Sequence, residues 1–385
     1  MNKKILLLLL ITTALTFCTK KQETTTQTST ASADEILIGE VGSLTGGEAT
    51  FGTSTRDGID LAFKKINAQG GVKGKKLKVL ILDDQGKPEE AAIAVTKLIT
   101  QDRVIAILGE VASSRSLAMA PIAQANKIPM VTPSSTNPKV TQVGDYIFRV
   151  CFIDPFQGSV MAQFAANTLK VKKVAILRDI KNDYSVGLAN FFTETFKKLG
   201  GQIVGDQSYS AGDVDFKSQL TSLKTKNPEA LFVPGYYTEV GLIARQAREM
   251  GVKVSLLGGD GWDSEKLTQI GGAALNGSFF SNHYTPDDQS PQIQKFIEEF
   301  KADFKAVPDS LAAMGYDAAM VLADAMRRAP SLSPQDIRQA LANTKNYSGV
   351  TGVITINKNR DAVKSAVVLE VKDGKFIFKE KLNPS

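Results

Sequence analysis

Three short runs of small polar residues could together bind an anion. They are GSLTG at residues 42–46, VASS at 111–114 and PSST at 133–136, and each lies between a strand-like run and a helical pattern. The N-terminus of a helix offers free backbone N–H groups and the positive end of its dipole, and small side chains allow close approach. The three runs are therefore suited to a carboxylate and need no Arg or Lys.

An acid also follows a strand-like run in the later part of the chain. Asp260 lies in LGGDGW at residues 257–262, directly after a strand-like run. A carboxylate paired with a cation in a closed, drier cleft gains a charge-assisted hydrogen bond. The alternatives are that Asp260 is a surface turn residue and that the Ser and Thr side chains of the three runs are only helix N-caps.

The inventory of reactive side chains argues against an enzyme. The 385 residues include two cysteines, Cys18 and Cys151, and one histidine, His283. Zinc sites need several Cys or His ligands, and no nucleophile elbow, phosphate-binding loop or metal-ligand spacing occurs. We expect no catalytic residue, no metal and no cofactor. We interpret His283 as a surface or hinge residue and Cys151 as a buried free thiol.

The charge pattern gives no sign of a nucleic-acid site. The net charge is +6, but 40 acids are interspersed with 46 bases. Nucleic-acid sites need clustered Lys and Arg rather than a mild excess. We therefore expect no nucleic-acid partner.

The N-terminal segment has the pattern of an export signal. Lys3 and Lys4 precede an apolar run of thirteen residues that ends at Phe17, which is shorter than the about 20 residues that span a bilayer. We expect a signal peptide over 1–17 and lipidation of Cys18, although Phe17 departs from the usual small residue before the cysteine; ordinary cleavage is the alternative. Residues 18–34 would be the lipidated cysteine and a polar, flexible tether. This pattern predicts a membrane-anchored lipoprotein in the periplasm or on the cell surface.

The rest of the chain alternates strand-like and helical patterns. The β-α-β-α order predicts parallel sheets with helices on both faces, and the length favours two domains. A third part, with a hairpin signal at Asp373-Gly374, has too few strands for a domain of its own and should complete the two earlier lobes. Strands of the two lobes are expected at 36–41, 77–82, 104–109, 130–132, 174–177, 203–205, 231–233 and 256–258.

Seven segments in order resemble one family, the branched-chain amino-acid (Leu/Ile/Val) binding proteins of ABC transporters. The resemblance covers about residues 35–380. The segments are IGEVGSLTGGEATFG, GIDLAFKKINAQGGVKGKKLKVLILDDQGKPEEAA, ILGEVASSRSLAMAPIAQANKIPMVTPSSTNP, YIFRVCFID, VAILRDIKNDYSVGLA, LFVPGYYTEVGLIARQAREMG and AAMGYDA.

The resemblance implies the type I periplasmic binding fold. This is an α/β fold with two doubly wound parallel-sheet lobes, joined by a three-crossover hinge and holding the ligand in the cleft between them. On this basis 35–152 with 285–350 would form the N-terminal lobe, and 153–284 with 351–385 the C-terminal lobe. The crossovers are expected near Phe152–Asp154, Asn282–Tyr284 and Val350–Val353.

The resemblance also assigns ligand-binding roles. Positions matching Ser113, Ser134 and Thr136 bind the α-carboxylate and part of the ammonium group, and we include their neighbours Ala112 and Ser135. A position matching Asp260 accepts the ammonium group; many relatives carry Glu there. Aromatic contacts are expected from Tyr184, Tyr236 (with Tyr237 as the alternative), Phe51 and Trp262, although Trp262 could equally be a core or hinge residue.

These features predict a monomeric, extracytoplasmic solute-binding protein of an ABC importer. It would bind a neutral, branched-chain amino acid between the lobes and deliver it to the membrane permease. Two alternatives stay open, a free-standing ligand sensor of the same fold and a receptor for a related amide or aromatic acid.

Overall fold

The computed structural model describes residues 34–384. The predicted signal peptide, Cys18 and all but the last residue of the predicted tether lie outside this part of the chain. Residues 34–384 form two α/β lobes, and none of their helices combines the length and the apolarity needed to cross a membrane.

A five-stranded parallel sheet forms the centre of the first lobe, in the order β2-β1-β3-β4-β5. Its strands are β1 (Glu35–Gly42), β2 (Lys76–Asp83), β3 (Ile107–Leu108), β4 (Met130–Thr132) and β5 (Ile147–Arg149). The connecting helices are α1 (Ala49–Ala68), α2 (Pro88–Thr100), α3 (Ser113–Ala125) and α4 (Lys139–Gln142). Every residue of β1 after Glu35 is buried, as expected of a parallel strand covered on both faces. Sequence patterns did not predict the short elements α4 and β5.

The second lobe has a seven-stranded sheet in the order β15-β14-β10-β9-β8-β6-β7. Its strands are β6 (Lys173–Asp179), β7 (Gln202–Tyr209), β8 (Ala230–Phe232), β9 (Ser255–Gly258), β10 (Ser278–Asn282), β14 (Ala366–Lys372) and β15 (Lys375–Leu382). Its helices are α5 (Asp154–Gln163), α6 (Asp183–Lys198), α7 (Lys217–Lys224), α8 (Tyr237–Glu249) and α9 (Glu265–Gly271). The strands up to β10 are parallel, whereas β14 and β15 form the antiparallel hairpin predicted at Asp373-Gly374.

The third part of the chain adds helices to the first lobe. They are α10 (Pro291–Phe304), α11 (Ser310–Arg328) and α12 (Pro334–Ala342). Helix α11 is buried along most of its length and packs on α1. Glycines permit this close approach, because a Cβ atom at Gly58 would lie 1.9 Å from the carbonyl oxygen of Ala312, and one at Gly315 would lie 2.4 Å from that of Thr55. The α1–α11 contact thus depends on two positions without side chains.

The chain passes three times between the lobes. The first passage joins β5 to α5, and the second joins β10 to α10. The third lies between β13 and β14, later than the predicted Val350–Val353. A small antiparallel sheet, β11 (Tyr347–Gly349), β12 (Gly352–Ile356) and β13 (Ala362–Val363), precedes it. The prediction was wrong here because Ile354, Ile356 and Ala362 are buried in the first-lobe core rather than in the second.

Candidate functional site

A small cavity lies between the two lobes, beyond the carboxyl ends of the strands. Six of the ten predicted ligand-binding residues line it, together with three that were not predicted. The nine are Phe51, Val111, Ser113, Ser134, Tyr184, Tyr236, Asp260, Gly261 and Leu311.

The first turn of α3 forms part of the first-lobe wall. Ser113 is the first residue of this helix, and Ala112 is its N-cap residue. The first backbone N–H groups of a helix have no intrahelical acceptor, so this turn presents free donors. The Ser113 hydroxyl oxygen accepts a hydrogen bond from the backbone N–H of Asn137 at 3.2 Å, which leaves its own proton for another acceptor. Ala112 itself does not line the cavity, and its N–H donates to the carboxylate of Glu110.

The loop after β4 brings three predicted residues to different positions. Ser134 lines the cavity. The Ser135 hydroxyl is instead directed into the first lobe, where it donates to the carbonyl oxygens of Glu110 and Val111, each at 2.9 Å. Thr136 is buried next to α5, and its carbonyl oxygen accepts from the backbone N–H of Asp154 at 3.0 Å. The fully buried Arg149 holds this loop from behind by donating to the carbonyl oxygens of residues 135 and 137.

Aromatic rings form the opposite wall. Tyr184 and Tyr236 stack with their centroids 5.4 Å apart, and Phe51 of the first lobe meets Tyr236 edge-on at 5.3 Å. The adjacent Tyr237 also packs edge-on against Phe51, at 5.1 Å, but it does not line the cavity. The Tyr184 hydroxyl oxygen accepts from the backbone N–H of Gly261 at 3.1 Å. Much of the cavity wall is therefore apolar.

Asp260 presents a carboxylate to the same cavity. It begins a short 3-10 turn after β9, and its backbone N–H donates to the Gln157 side-chain oxygen at 2.8 Å. Its Oδ2 lies 3.4 Å from the Ser134 hydroxyl of the first lobe. Its Oδ1 is buried and has no hydrogen-bond partner among residues 34–384. A buried carboxylate oxygen of this kind costs free energy unless a donor reaches it.

His283 is a neighbour of Asp260 that sequence reasoning missed. It is buried in the second passage, so the hinge alternative holds and the surface alternative does not, and its Nε2 lies 2.9 Å from Asp260 Oδ2. Its ring stacks on Phe152 of the first passage, with centroids 3.7 Å apart. Burial lowers the pKa of His283, although Asp260 acts in the opposite direction. The sequence signal was the hinge position, but nothing in the sequence indicated contact with Asp260.

Trp262 does not lie in the pocket wall, where its aromatic contact was predicted. Its side chain is fully buried in the second-lobe core, where its indole N–H donates to the carbonyl oxygen of Val233 at 3.0 Å. It packs on Phe280 with centroids 5.9 Å apart. The core alternative therefore describes this residue.

Three cavity residues were not predicted. Val111 directly precedes the N-cap of α3, Gly261 follows Asp260, and Leu311 lies in the first turn of α11. A Cβ atom at Gly261 would lie 2.8 Å from the Tyr236 ring and 2.9 Å from the carbonyl oxygen of Gly235, so glycine permits the close packing there. Leu311 comes from a distant part of the chain, and its place in the cleft depends on the α1–α11 contact.

A buried ionic network supports the first-lobe wall. Arg115 Nε lies 3.0 Å from Glu110 Oε2, and one Arg115 amino group lies 2.5 Å from Glu48. Burial raises the pKa of Glu110 to about 7, while Arg115 opposes this change. The network joins the start of α1 to the first turn of α3, so it fixes two parts of the first-lobe wall relative to each other.

Hydrogen bonds connect the lobes around the cavity. The Thr50 and Ser264 hydroxyls lie 2.9 Å apart, and the Asp183 backbone N–H donates to the Ser114 hydroxyl oxygen at 3.0 Å. The Thr238 hydroxyl donates to the carbonyl oxygen of Gly47 at 2.6 Å. The lobes are therefore in contact, as expected of a closed arrangement.

A larger groove lies beside the hinge. It is lined by parts of the second passage, by residues 348–353 and by the β14–β15 hairpin. It includes none of the ten predicted ligand-binding residues, so the chemistry described above belongs to the smaller cavity.

Similar proteins are known for almost the whole folded region. The family model for periplasmic binding proteins matches residues 35–375. The crystal structure of a leucine binding protein LivK from Thermotoga maritima is 44% identical, with a TM-score of 0.87, and the match covers 91% of this chain and 99% of that one. The branched-chain amino acid transporter substrate binding protein LivJ from Streptococcus pneumoniae, in complex with isoleucine, is 34% identical, with a TM-score of 0.86 and coverage of 91% and 100%.

A curated relative gives the same picture. The leucine-specific-binding protein of Salmonella typhimurium is 34% identical over 310 residues, which are 80% of this chain and 83% of that protein. The matched family and these relatives are solute-binding proteins rather than enzymes. With its two α/β lobes, its three passages and its interlobe cavity, this chain belongs to the periplasmic binding protein family, among the branched-chain amino-acid binding proteins of ABC transporters.

Proposed function

We propose that this protein binds a neutral aliphatic α-amino acid between its lobes and delivers it to the permease of an ABC importer. The observation that carries the proposal is the buried Asp260 Oδ1, which has no hydrogen-bond partner among the described residues and belongs to a side chain that lines the cavity. A ligand ammonium group would supply the missing donor. The relatives that bind leucine or isoleucine support the same ligand class.

The first-lobe wall, which includes the first turn of α3, suits the α-carboxylate of the ligand. The first turn of α3 offers backbone donors and the positive end of the helix dipole. The hydroxyls of Ser113 and Ser134 lie in the same cavity wall, and Thr136 follows in the loop. The ligand would thus be held between first-lobe donors and a second-lobe acid, so that full contact requires closure.

The ligand side chain would pack against the remaining wall. Phe51, Val111, Tyr236 and Leu311 present mainly apolar surface there. A branched aliphatic side chain gains roughly 25 cal/mol per Å² of buried apolar area at such a surface. Leucine, isoleucine and valine are therefore the first ligands to test.

Mass spectrometry of the ligand released from freshly purified, denatured protein tests the ligand class directly. Calorimetric titration should then compare leucine with 4-methylpentanoate, which lacks the amine, and with isoamylamine, which lacks the carboxylate. We expect both analogues to bind at least a hundredfold more weakly than leucine. Equal binding of 4-methylpentanoate would contradict the role of Asp260 and favour a receptor for simple acids.

Substitution of Asp260 tests the same role from the protein side. Asp260→Ala should weaken leucine binding by roughly 2–5 kcal/mol, the scale for removing one partner of a buried charge pair. Asp260→Asn keeps the shape but not the charge and should also bind weakly. Unchanged affinity in both variants would rule out the proposed ammonium site.

We further propose that the mature protein is a monomeric lipoprotein, anchored through Cys18 outside the cytoplasm. The sequence pattern of residues 1–18 supports this proposal. Cys18→Ser should move the protein from the membrane fraction to the soluble fraction. Cys151→Ser is the matched control, because Cys151 is a buried free thiol of the folded region. Membrane retention of the Cys18→Ser variant would contradict the anchor.

A further inference from the structure

The second passage places the chain's one histidine against the acid that faces the ligand cavity. His283 Nε2 is 2.9 Å from Asp260 Oδ2, and the Ser134 hydroxyl lies 3.5 Å from the same ring nitrogen. The three side chains come from the hinge, the second lobe and the first lobe. They therefore meet where closure brings the two lobes and the hinge together.

The ring has little freedom to leave this position. It is stacked on Phe152, and the backbone N–H of His283 donates to the side-chain oxygen of Asn282 at 2.8 Å. Its Nδ1 is buried and has no partner among the described residues. A neutral ring that carries its proton on Nε2 fits this arrangement, because Nε2–H can donate to the carboxylate while Nδ1 needs no acceptor.

The two carboxylate oxygens of Asp260 differ in their hydrogen-bond partners. The imidazole occupies Oδ2, while Oδ1 has no partner within residues 34–384. A partner that holds one oxygen of an acid fixes both the rotamer of the acid and the direction of its free oxygen. We propose that His283 is a positioning residue that orients Asp260 toward the ligand ammonium group and gives up any proton of its own when that group binds.

This inference rests on the proposed function, because it needs a ligand cation at Asp260. A protonated imidazole would place a second positive charge beside the same carboxylate, so protonation and ligand binding should oppose each other. The other charged groups that act on the ring are Asp263, which favours its protonation, and Lys364, which disfavours it. Burial is the largest influence on the ring, and it lowers the pKa of His283 below that of a free histidine side chain. The competition should therefore appear below about pH 6.5.

Nuclear magnetic resonance of the full-length folded protein can follow this ring without assignment, because the chain has a single histidine. With labelled histidine, we expect the Nε2–H tautomer at pH 7.5 and an acid titration below that of a free side chain. Bound leucine should lower the pH at which the His283 ring titrates still further. A ring that titrates near pH 6.5 both with and without leucine would overturn the proposal.

Two substitutions separate positioning from packing. His283→Gln can still donate to Asp260 Oδ2 but does not titrate, whereas His283→Leu fills space and cannot donate. At pH 7.5, leucine affinity should stay within about threefold in the first variant and fall by tenfold or more in the second. Circular dichroism at each pH shows whether both variants are folded.

Proton release gives an independent readout. Calorimetry in buffers with different ionisation enthalpies should show that leucine binding to the wild type releases more protons as the pH falls from 7 to 5, by up to about one. His283→Gln should lack that increase, and the difference between the two proteins removes contributions from other acids. Identical proton release and identical affinities in all three proteins would refute the role of His283 but leave the amino-acid site intact. Failure of the wild type to bind any amino acid would instead refute the proposed function.

Discussion

Asp263 of the second lobe accepts a hydrogen bond from the backbone N–H of Ser310, the first residue of α11 in the first lobe, at 2.8 Å. The same Oδ2 accepts from the Asn282 side-chain amide at 3.0 Å. The first N–H groups of a helix need an acceptor outside the helix. One second-lobe carboxylate therefore satisfies a first-lobe donor in the closed arrangement.

Removal of this contact should weaken ligand binding without touching the ligand cavity. Asp263→Ala should lower leucine affinity by about 1 kcal/mol, the usual scale for loss of a helix-capping acceptor, because the closed form loses a contact that the open form lacks. Calorimetry measures the affinity, and small-angle X-ray scattering measures the shift toward a more extended shape. Asp263→Asn keeps an acceptor oxygen and should lose less. Wild-type affinity in Asp263→Ala would show that the contact does not favour closure.

The size of the side chain at position 311 should limit the size of the ligand side chain that the cavity accepts. Leu311 lines the cavity with Phe51 and Tyr236, so Leu311→Phe should fill the space that a leucine side chain needs. We expect the affinity ratio of leucine to alanine to fall by about tenfold or more. Leu311→Met conserves volume and should keep the ratio close to that of the wild type. An unchanged ratio in Leu311→Phe would place the ligand side chain elsewhere.

Asp154 should make the protein less stable as the pH rises. Burial raises the pKa of Asp154 from 3.8 to about 8, so the folded state binds this proton more tightly than the unfolded chain does. The resulting stability is complete below about pH 4 and is lost as the pH rises through about 8, at up to about 1.4 kcal/mol per pH unit. Glu110 and Asp309, each raised to a pKa of about 7, act in the same direction below pH 7.

Asp154→Asn isolates this contribution because it cannot ionise. Urea unfolding at pH 5, 6, 7 and 8 should show a smaller loss of stability with pH in the variant than in the wild type, most clearly between pH 5 and 7, where the unfolded chain has lost this proton and the folded state still holds it. Parallel curves for the two proteins would mean that Asp154 is already ionised in the folded state at neutral pH.

The glycine contact between α1 and α11 should be intolerant of a methyl group. A Cβ atom at Gly58 would lie 1.9 Å from the Ala312 carbonyl oxygen, so Gly58→Ala should force the helices apart and cost about 1–3 kcal/mol of unfolding free energy. Gly47→Ala is the matched control, because a Cβ atom there would meet nothing within 4 Å. Equal stability of the two variants in urea unfolding would contradict the close packing.

The sequence predicted the fold well where hydrophobic periodicity and order agreed. The sequence pattern predicts a helix over residues 310–328, and α11 has these bounds. Ile59, Ala62, Phe63 and Ile66 have the i, i+3, i+4, i+7 spacing of one helix face, and all four are buried on α1. The third passage was misplaced because residues 347–363 look like ordinary strands, and their pattern does not say which lobe they cover. Strand β5 was missed although β4 and β8, which are equally short, were predicted.

The site was predictable where loops follow strands and not where distant segments meet. Ser113 and Ser134 could be placed because the carboxyl ends of parallel strands lie together, and Asp260 could be placed through the resemblance to the family. Leu311 reaches the cleft through the α1–α11 contact, which no local pattern reports. His283 was expected near the hinge, but its contact with Asp260 was not. Trp262 was misassigned because the sequence separation from Asp260 does not reveal that its ring turns into the core.

The short turn after β9, residues 260–264, contributes both to the ligand cavity and to the contacts between the lobes. It carries Asp260 toward the ligand cavity, and it also carries Asp263 and Ser264, which bond to the first lobe at Ser310 and Thr50. Any change in this turn that adapts the protein to a different head group will therefore alter how readily the lobes shut. A designer who wants a sensor with a new specificity but an unaltered motion should vary Leu311 and Val111 and leave residues 260–264 as they are.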